Sequence, residues 1–274
     1  MLSAKPIAEC LVKAGFNVAV YDVLEAAMAA FRGKDVIACT SCADVAGRSD
    51  IVISLVRDGS ETEEVIFGTH RILEALRPGT IFVTGSTVGP ALVRRIAKVL
   101  SARGCEMLDM PFTGGYVAAY EGRLSLMVGG AQETIDRASP VLRAFAHVIT
   151  RAGDVGAGQT AKLAHQLIMS MNIMALLEGL SLGVAEGIQP EIIRQIIRDG
   201  IANSGVLQVW DEMGPRWKRF LDVNEPGGAV PIMKKDLHLA LDLACELGVK
   251  LSLGAQASRI ADEGIATGRD NPLL

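Results

Sequence analysis

Along the first 150 residues, short apolar runs alternate with stretches whose apolar positions recur at helical spacing. AKPIAECLVKA (4–14) carries the helical period and is stopped by Gly15, and NVAVYD then follows as a strand-like run ending in Asp22. The alternation continues through a helix at VLEAAMAAFRGK, strands at VIACT (36–40) and DIVISL (50–55), and a helix through GSETEEVIFGTHRILEAL. TIFVTGST (80–87) reads as a strand, Pro90 opens a helix to about Arg103, and CEMLDMP (105–111) reads as the next strand. After a TGG turn come strands at LSLMV (124–128) and AHVIT (146–150), separated by a helix over 131–145. An uninterrupted apolar run such as DIVISL suits a strand buried on both faces of a parallel sheet. Strands alternating with helices then predict an α/β fold with a doubly wound, mostly parallel sheet of Rossmann type.

From Gly158 the pattern changes. Gln159 to about Glu186 is apolar nearly all round, which predicts one long helix buried on every side. Pro190 starts PEIIRQIIRDG and Gly200 stops it; further helices are expected at GVLQVWDEMGPRWKRFL, PIMKKDLHLALDLACELG and LSLGAQASRIADEGIATG. No run beyond Thr150 reads as a strand. The expected organisation is a Rossmann-type domain over 1–155 followed by an all-α domain over 156–274 for substrate and self-association.

Composition narrows the function by exclusion. A net charge of −4 gives no electrostatic reason to expect nucleic acid or an anionic membrane surface. No uncharged apolar run approaches the ~18–20 residues that span a bilayer, and no leader pattern is present, so the expected location is cytoplasmic. The five cysteines are odd in number and scattered, against a disulfide framework, and Cys39-x-x-Cys42 lacks a second ligand pair. His70, His147 and His238 have no ligand spacing, so no metal is expected. Chemistry concentrates instead in GDVGAGQTAKLAHQ (153–166), where a glycine-rich turn enters an apolar helix holding Lys162 and His165. Such a lysine either snorkels to solvent or exchanges a proton with a ligand, because burial weakens its hold on the proton. Gln166 lies one helical turn after it.

Several ordered motifs resemble one family. AKPIAECLVKAGFNVAVYD is similar to the end of the GxGxMGxPMAxNLxxAGxxVxVYD run that opens the β-hydroxyacid dehydrogenases, among them 3-hydroxyisobutyrate, tartronate-semialdehyde and L-threonate dehydrogenase-like enzymes. LDMPFTGGYVAAYEGRLSLMVGG (108–130) resembles the family's substrate signature, GAGQTAKLAHQ (156–166) its catalytic-lysine motif, and MKKDLHLAL (233–241) its second lysine motif. The chain departs from the pattern at Thr84-Gly85, where Asp-Met is common, and at His165-Gln166, where many members carry Asn-Asn or Asn-Gln. The first strand and first two glycines of the dinucleotide fingerprint do not precede Ala4. That pattern implies an N-terminally truncated member.

The resemblance implies an oxidoreductase that moves hydride between NAD and a small 2- or 3-hydroxy acid, with Lys162 and Gln166 as catalytic residues. Thr113, Gly114 and Gly115 would hold the substrate's carboxylate, while His165 is either a substrate ligand or a satisfied interior histidine. Asp22, Leu55, Val56, Ser86, Thr87 and Lys235 would serve the cofactor; Lys235 also admits a solvated reading beside Lys234. Asp22 favours NAD over NADP, because its carboxylate would repel a 2′-phosphate and YDVLEAA offers no arginine. A homodimer or homotetramer through the helical domain is expected. The alternatives are a catalytically impaired paralogue or assembly partner with an incomplete dinucleotide site, or an imine reductase-like enzyme.

Overall fold

The computed structural model describes residues 4–263 apart from 32, 34, 70 and 214–228, so His70 and the stretch GPRWKRFL lie outside the described residues. Helix α1 (Ala4–Lys13) leads to a parallel pair of short strands, β1 (Ala19–Val20) and β2 (Ile37–Ala38), with α2 (Glu25–Ala29) between them. After α3 (Cys42–Arg48) comes the larger sheet, ordered β3-β4-β5-β7-β6 with β8 paired to β7. Its strands β3 (Ile51–Ser54), β4 (Ile81–Thr84) and β5 (Glu106–Asp109) are parallel and place Ser54, Thr84 and Asp109 side by side. β7 (Leu124–Gly129) runs antiparallel to β5 and to β6 (Phe112–Thr113) and parallel to β8 (Ala146–Gly153).

Two cores explain the unbroken apolar runs. Ile81, Val83 and Leu108 enter one cluster, and Val52, Phe82 and Met107 enter another on the opposite face. Helices α4 (Gly59–Phe67), α5 (Pro90–Ser101) and α7 (Gln132–Leu142) supply the covering layers. α4 is shorter than its apolar pattern predicts. Asp58 caps its start by accepting the Glu61 N–H at 2.9 Å, but Gly68 takes an extended conformation that ends it, and Glu64 folds back to accept the Thr69 N–H. The TGG segment is more than a turn: Phe112–Thr113 pairs with β7, and α6 (Gly115–Tyr120) starts at once. Gly114 and Gly115, at φ +123° and +69°, make that reversal possible where a side chain would be strained.

The chain divides into two compact units, Met1–Lys162 and Leu163–Leu274, and the division falls inside α8 (Ala157–Ala185). The second unit has no strand among its described residues, with helices α9 (Pro190–Asp199), α10 (Gly205–Met213), α11 (Ala229–Leu247) and α12 (Ser252–Asp262). Ile173, Leu177 and Leu180 of α8 pack in a core with Leu207, Met233, Leu237 and Ala261. The expectation that α8 is buried all round needs correction: Ile168 is 57% exposed and Leu182 77%. By length and composition alone α8 could also cross a membrane, but core packing accounts for its buried stripe.

Candidate active site

The N-terminus of α8 is held by a carboxylate from far away in sequence. Asp109, last residue of β5 and 0% exposed, accepts the Gly156 N–H on Oδ1 and the Gln159 N–H on Oδ2, each at 2.7 Å. These are two of the donors a helix start leaves unpaired, and a negative charge also suits the positive end of the helix. Burial pushes the Asp109 carboxyl above its ordinary value, against the downward pull of those two N–H groups and of Arg94. Close approach requires two glycines. A Cβ on Gly129 would stand 2.3 Å from Asp109 Oδ1, and one on Gly158 would stand 2.6 Å from the Met127 carbonyl and 2.7 Å from that of Asp109.

Gln159, also fully buried, extends the network sideways. Its Oε1 accepts the Val88 N–H at 2.8 Å and its Nε2 donates to the Ser86 carbonyl at 3.0 Å. Ser86 Oγ in turn donates to the Val56 carbonyl at 2.8 Å and accepts the Val56 N–H at 2.9 Å. One turn into α8, Lys162 is 7% exposed and its ammonium donates to the Phe112 carbonyl at 2.8 Å. The structure therefore brings Lys162 to the strand that runs into Thr113, Gly114 and Gly115. Thr113 is half-buried, while both glycines are exposed.

In the helical unit a second polar chain centres on the buried pair Gln166 and Asp236. Gln166 Nε2 donates to Asp236 Oδ2 at 2.6 Å, and Lys235 Nζ donates to Asp236 Oδ1 at 2.7 Å. Asp236 accepts on both oxygens, which turns the Gln166 carbonyl oxygen toward His165 Nδ1, 3.2 Å away. His165 is thus the donor of that contact, and it is half-buried rather than sealed in the core. Lys235 is paired with a buried acid, not simply solvated beside Lys234.

The remaining candidates stand at strand ends. Asp22 follows β1 by two residues, and its Oδ1 accepts the Leu24 N–H at 2.9 Å. Leu55 and Val56 follow β3; Ser86 and Thr87 follow β4, where Ser86 is fully buried and Thr87 half-buried. The thiols of Cys39 and Cys42 are both shifted upward, mainly by burial, which lowers their thiolate fraction. Asp109, Gln159 and Asp236 lie within the three motifs that resemble the family's, but their supporting roles do not show in the sequence, since Gly156, Val88, Ser86 and Gln166, with which they pair, lie dozens of residues away.

Residues 4–153 match the model for the NAD-binding domain of 6-phosphogluconate dehydrogenase, and residues 156–271 match that for the NAD-binding region of NADP-dependent 3-hydroxyisobutyrate dehydrogenase. The 2-(hydroxymethyl)glutarate dehydrogenase of Eubacterium barkeri is 33% identical over 265 residues, covering 96% of this chain and 86% of the relative. L-threonate dehydrogenase of Cupriavidus necator is 32% identical, covering 93% and 84%. A crystal structure of 3-hydroxyisobutyrate dehydrogenase from Salmonella typhimurium superposes with a TM-score of 0.84 at 27% identity, covering 98% of this chain and 93% of that one. A dinucleotide-binding α/β unit followed by a helical unit, matched by both family models, defines the class as nicotinamide-dependent oxidoreductases. The chain belongs to the β-hydroxyacid dehydrogenase family and transfers hydride between NAD(P) and small hydroxy acids. Asp22, Leu55–Val56 and Ser86–Thr87 each follow the carboxyl end of a parallel strand, where open α/β sheets bind dinucleotides and where they would face that cofactor.

Proposed function

We propose that Lys162 is the general acid and base of this hydride transfer. Its burial beside the Phe112 carbonyl, at the threshold of Thr113-Gly114-Gly115, is the observation that carries the reading. The nicotinamide, when bound, supplies or accepts the hydride. In reduction the Lys162 ammonium hydrogen-bonds the substrate's carbonyl oxygen and gives it a proton; in oxidation the neutral amine takes the hydroxyl proton. The Thr113 hydroxyl and the N–H groups of Gly114 and Gly115 hold the substrate's carboxylate. Gln166, one turn further along the same helix, has an orientation set by Asp236 and hydrogen-bonds the reacting oxygen, with His165 beside it as a substrate ligand. The named residues concentrate little positive charge, which favours a small 2- or 3-hydroxy acid over a phosphorylated one.

The test is turnover of a panel containing 3-hydroxyisobutyrate, D-glycerate and L-threonate with NAD and NADP. Lys162→Ala should lower kcat on the best substrate by ~10²–10⁴-fold; an undiminished rate removes Lys162 from the mechanism. Asp22 supports NAD as the preferred cofactor, and a higher kcat/KM with NADP would reject that preference. The exposed apolar side chains Ile168, Leu182, Ile192 and Ile196 support a homodimer or homotetramer. Sedimentation as a monomer at micromolar concentration would reject it.

A further inference from the structure

We propose that Gln159 is a positioning residue for hydride transfer: its buried amide locks the loops after β3 and β4 to the helix that carries Lys162. The inference rests on the reading above, in which those loops hold the dinucleotide and Lys162 exchanges the proton. Three of its hydrogen bonds leave Gln159 in different directions. Its backbone N–H goes to Asp109, its Oε1 receives the Val88 N–H, and its Nε2 reaches the Ser86 carbonyl. The side chain therefore meets the turn after β4 as a neighbouring strand would, one donor and one acceptor matched to a carbonyl and an N–H. Glutamate could not donate to the Ser86 carbonyl, and methionine has no donor for it and only a weak acceptor for the Val88 N–H.

Ser86 passes the constraint on. Its hydroxyl closes on both the N–H and the carbonyl of Val56, so the loop after β3 is tied to the loop after β4. Asp109, Gln159 and Ser86 are each 0% exposed, where an unpaired polar group is costly and a shared network is rigid. Asp109–Gln159–Ser86–Val56 thus forms one chain of hydrogen bonds across the carboxyl ends of β3, β4 and β5, passing through the helix three residues before Lys162. Ser86 acts on the cofactor through the shape of the Val56 loop, since its hydroxyl is turned inward and occupied.

The experiment is a double-mutant cycle in the full chain with Gln159→Met, Ser86→Ala and the pair, reading NADH affinity by fluorescence, kcat, and the melting temperature. Each single variant should weaken NADH binding about tenfold, and the double should be no weaker than the worse single, because both break the same latch. Additive losses would overturn the proposal. So would a folded Gln159→Met whose melting temperature drops while NADH affinity and kcat stay at parental values, since that describes a merely structural role. If Gln159→Met does not fold, Gln159→Asn shortens the arm by one methylene, and parental affinity in that variant overturns the latch equally. Failure of the underlying reading looks different: Lys162→Ala then turns over like the parent, whatever the Gln159 variants do.

Discussion

Adding one methyl group at Gly158 should cost more than almost any other small change in the molecule. A Cβ there would stand 2.6 Å from the Met127 carbonyl oxygen, 2.7 Å from the Asp109 carbonyl oxygen and 2.8 Å from Asp109 Oδ2. Ordinary carbon–oxygen contact begins near ~3.4 Å, so the start of α8 must back away from β5 and β7 by several tenths of an ångström. Neither neighbour can yield, because both carbonyls belong to sheet strands. Overpacking of this kind costs ~1–3 kcal/mol. The retreat also stretches the two 2.7 Å bonds from Gly156 and Gln159 to Asp109, which are worth ~1.5–3 kcal/mol each when the acceptor is charged. A total of about 3–5 kcal/mol is expected for Gly158→Ala, a fall in Tm on the order of 10 °C. Because Lys162 lies one turn further along the same helix, kcat should fall by roughly 100-fold as well. Gly47→Ala is the control. That glycine is exposed in α3 with nothing within 4 Å of its added Cβ, so the same substitution should stabilise by ~0.5–1 kcal/mol through helix propensity. Calorimetry on both variants, with steady-state turnover, decides the matter. A Gly158→Ala protein melting within about 2 °C of the parent, with unchanged kcat, would refute the close-packing argument.

Two more expectations concern ionisable groups. Glu106 accepts from the Thr134 hydroxyl and the Arg137 guanidinium, which together hold its carboxyl below the ordinary 4.5. A carboxyl lowered in the folded state stabilises above its unfolded value, and the benefit is lost as pH falls through the folded one. Glu106→Gln should therefore lose about 0.5–1 kcal/mol at pH 7, and the gap to the parent should close on acidification below about pH 4; urea titrations showing a pH-independent gap would contradict this. Asp236→Asn puts an amide donor against the buried Gln166 or the half-buried Lys235 and removes the buried charge that both donate to. A loss of ~2–4 kcal/mol in chemical unfolding is expected, and a variant within ~0.5 kcal/mol would show that the Gln166–Asp236–Lys235 chain contributes little.

What the sequence revealed and what it hid divide along a physical line. Strands β3 and β4 were legible because three of the four residues in each are apolar, filling both faces, and β5 through Met107 and Leu108 between two acids. Lys162 was legible because a charge inside an apolar helix contradicts its surroundings. The supports of that lysine carry no such mark. Asp109 belongs to the segment that resembles the substrate signature, two residues before Pro111, but its hold on the helix start exists only once folding brings it 2.7 Å from N–H groups 47 and 50 residues away. The strand at Phe112–Thr113 was hidden for the same reason, since two residues have no period and the pairing to β7 defines them. Apolarity misled in the other direction on α8. A helix apolar all round satisfies a core and a contact face equally well, and only exposure of Ile168 and Leu182 separates the two. Groups whose charge conflicts with their local environment, as that of Lys162 does, show in a single sequence. Groups that hold them in place act by long-range complementarity, each unremarkable alone. The glycines at 129 and 158 are the extreme case: their contribution is the absence of an atom, which no composition or period can register until the Asp109 carboxylate is seen filling the space.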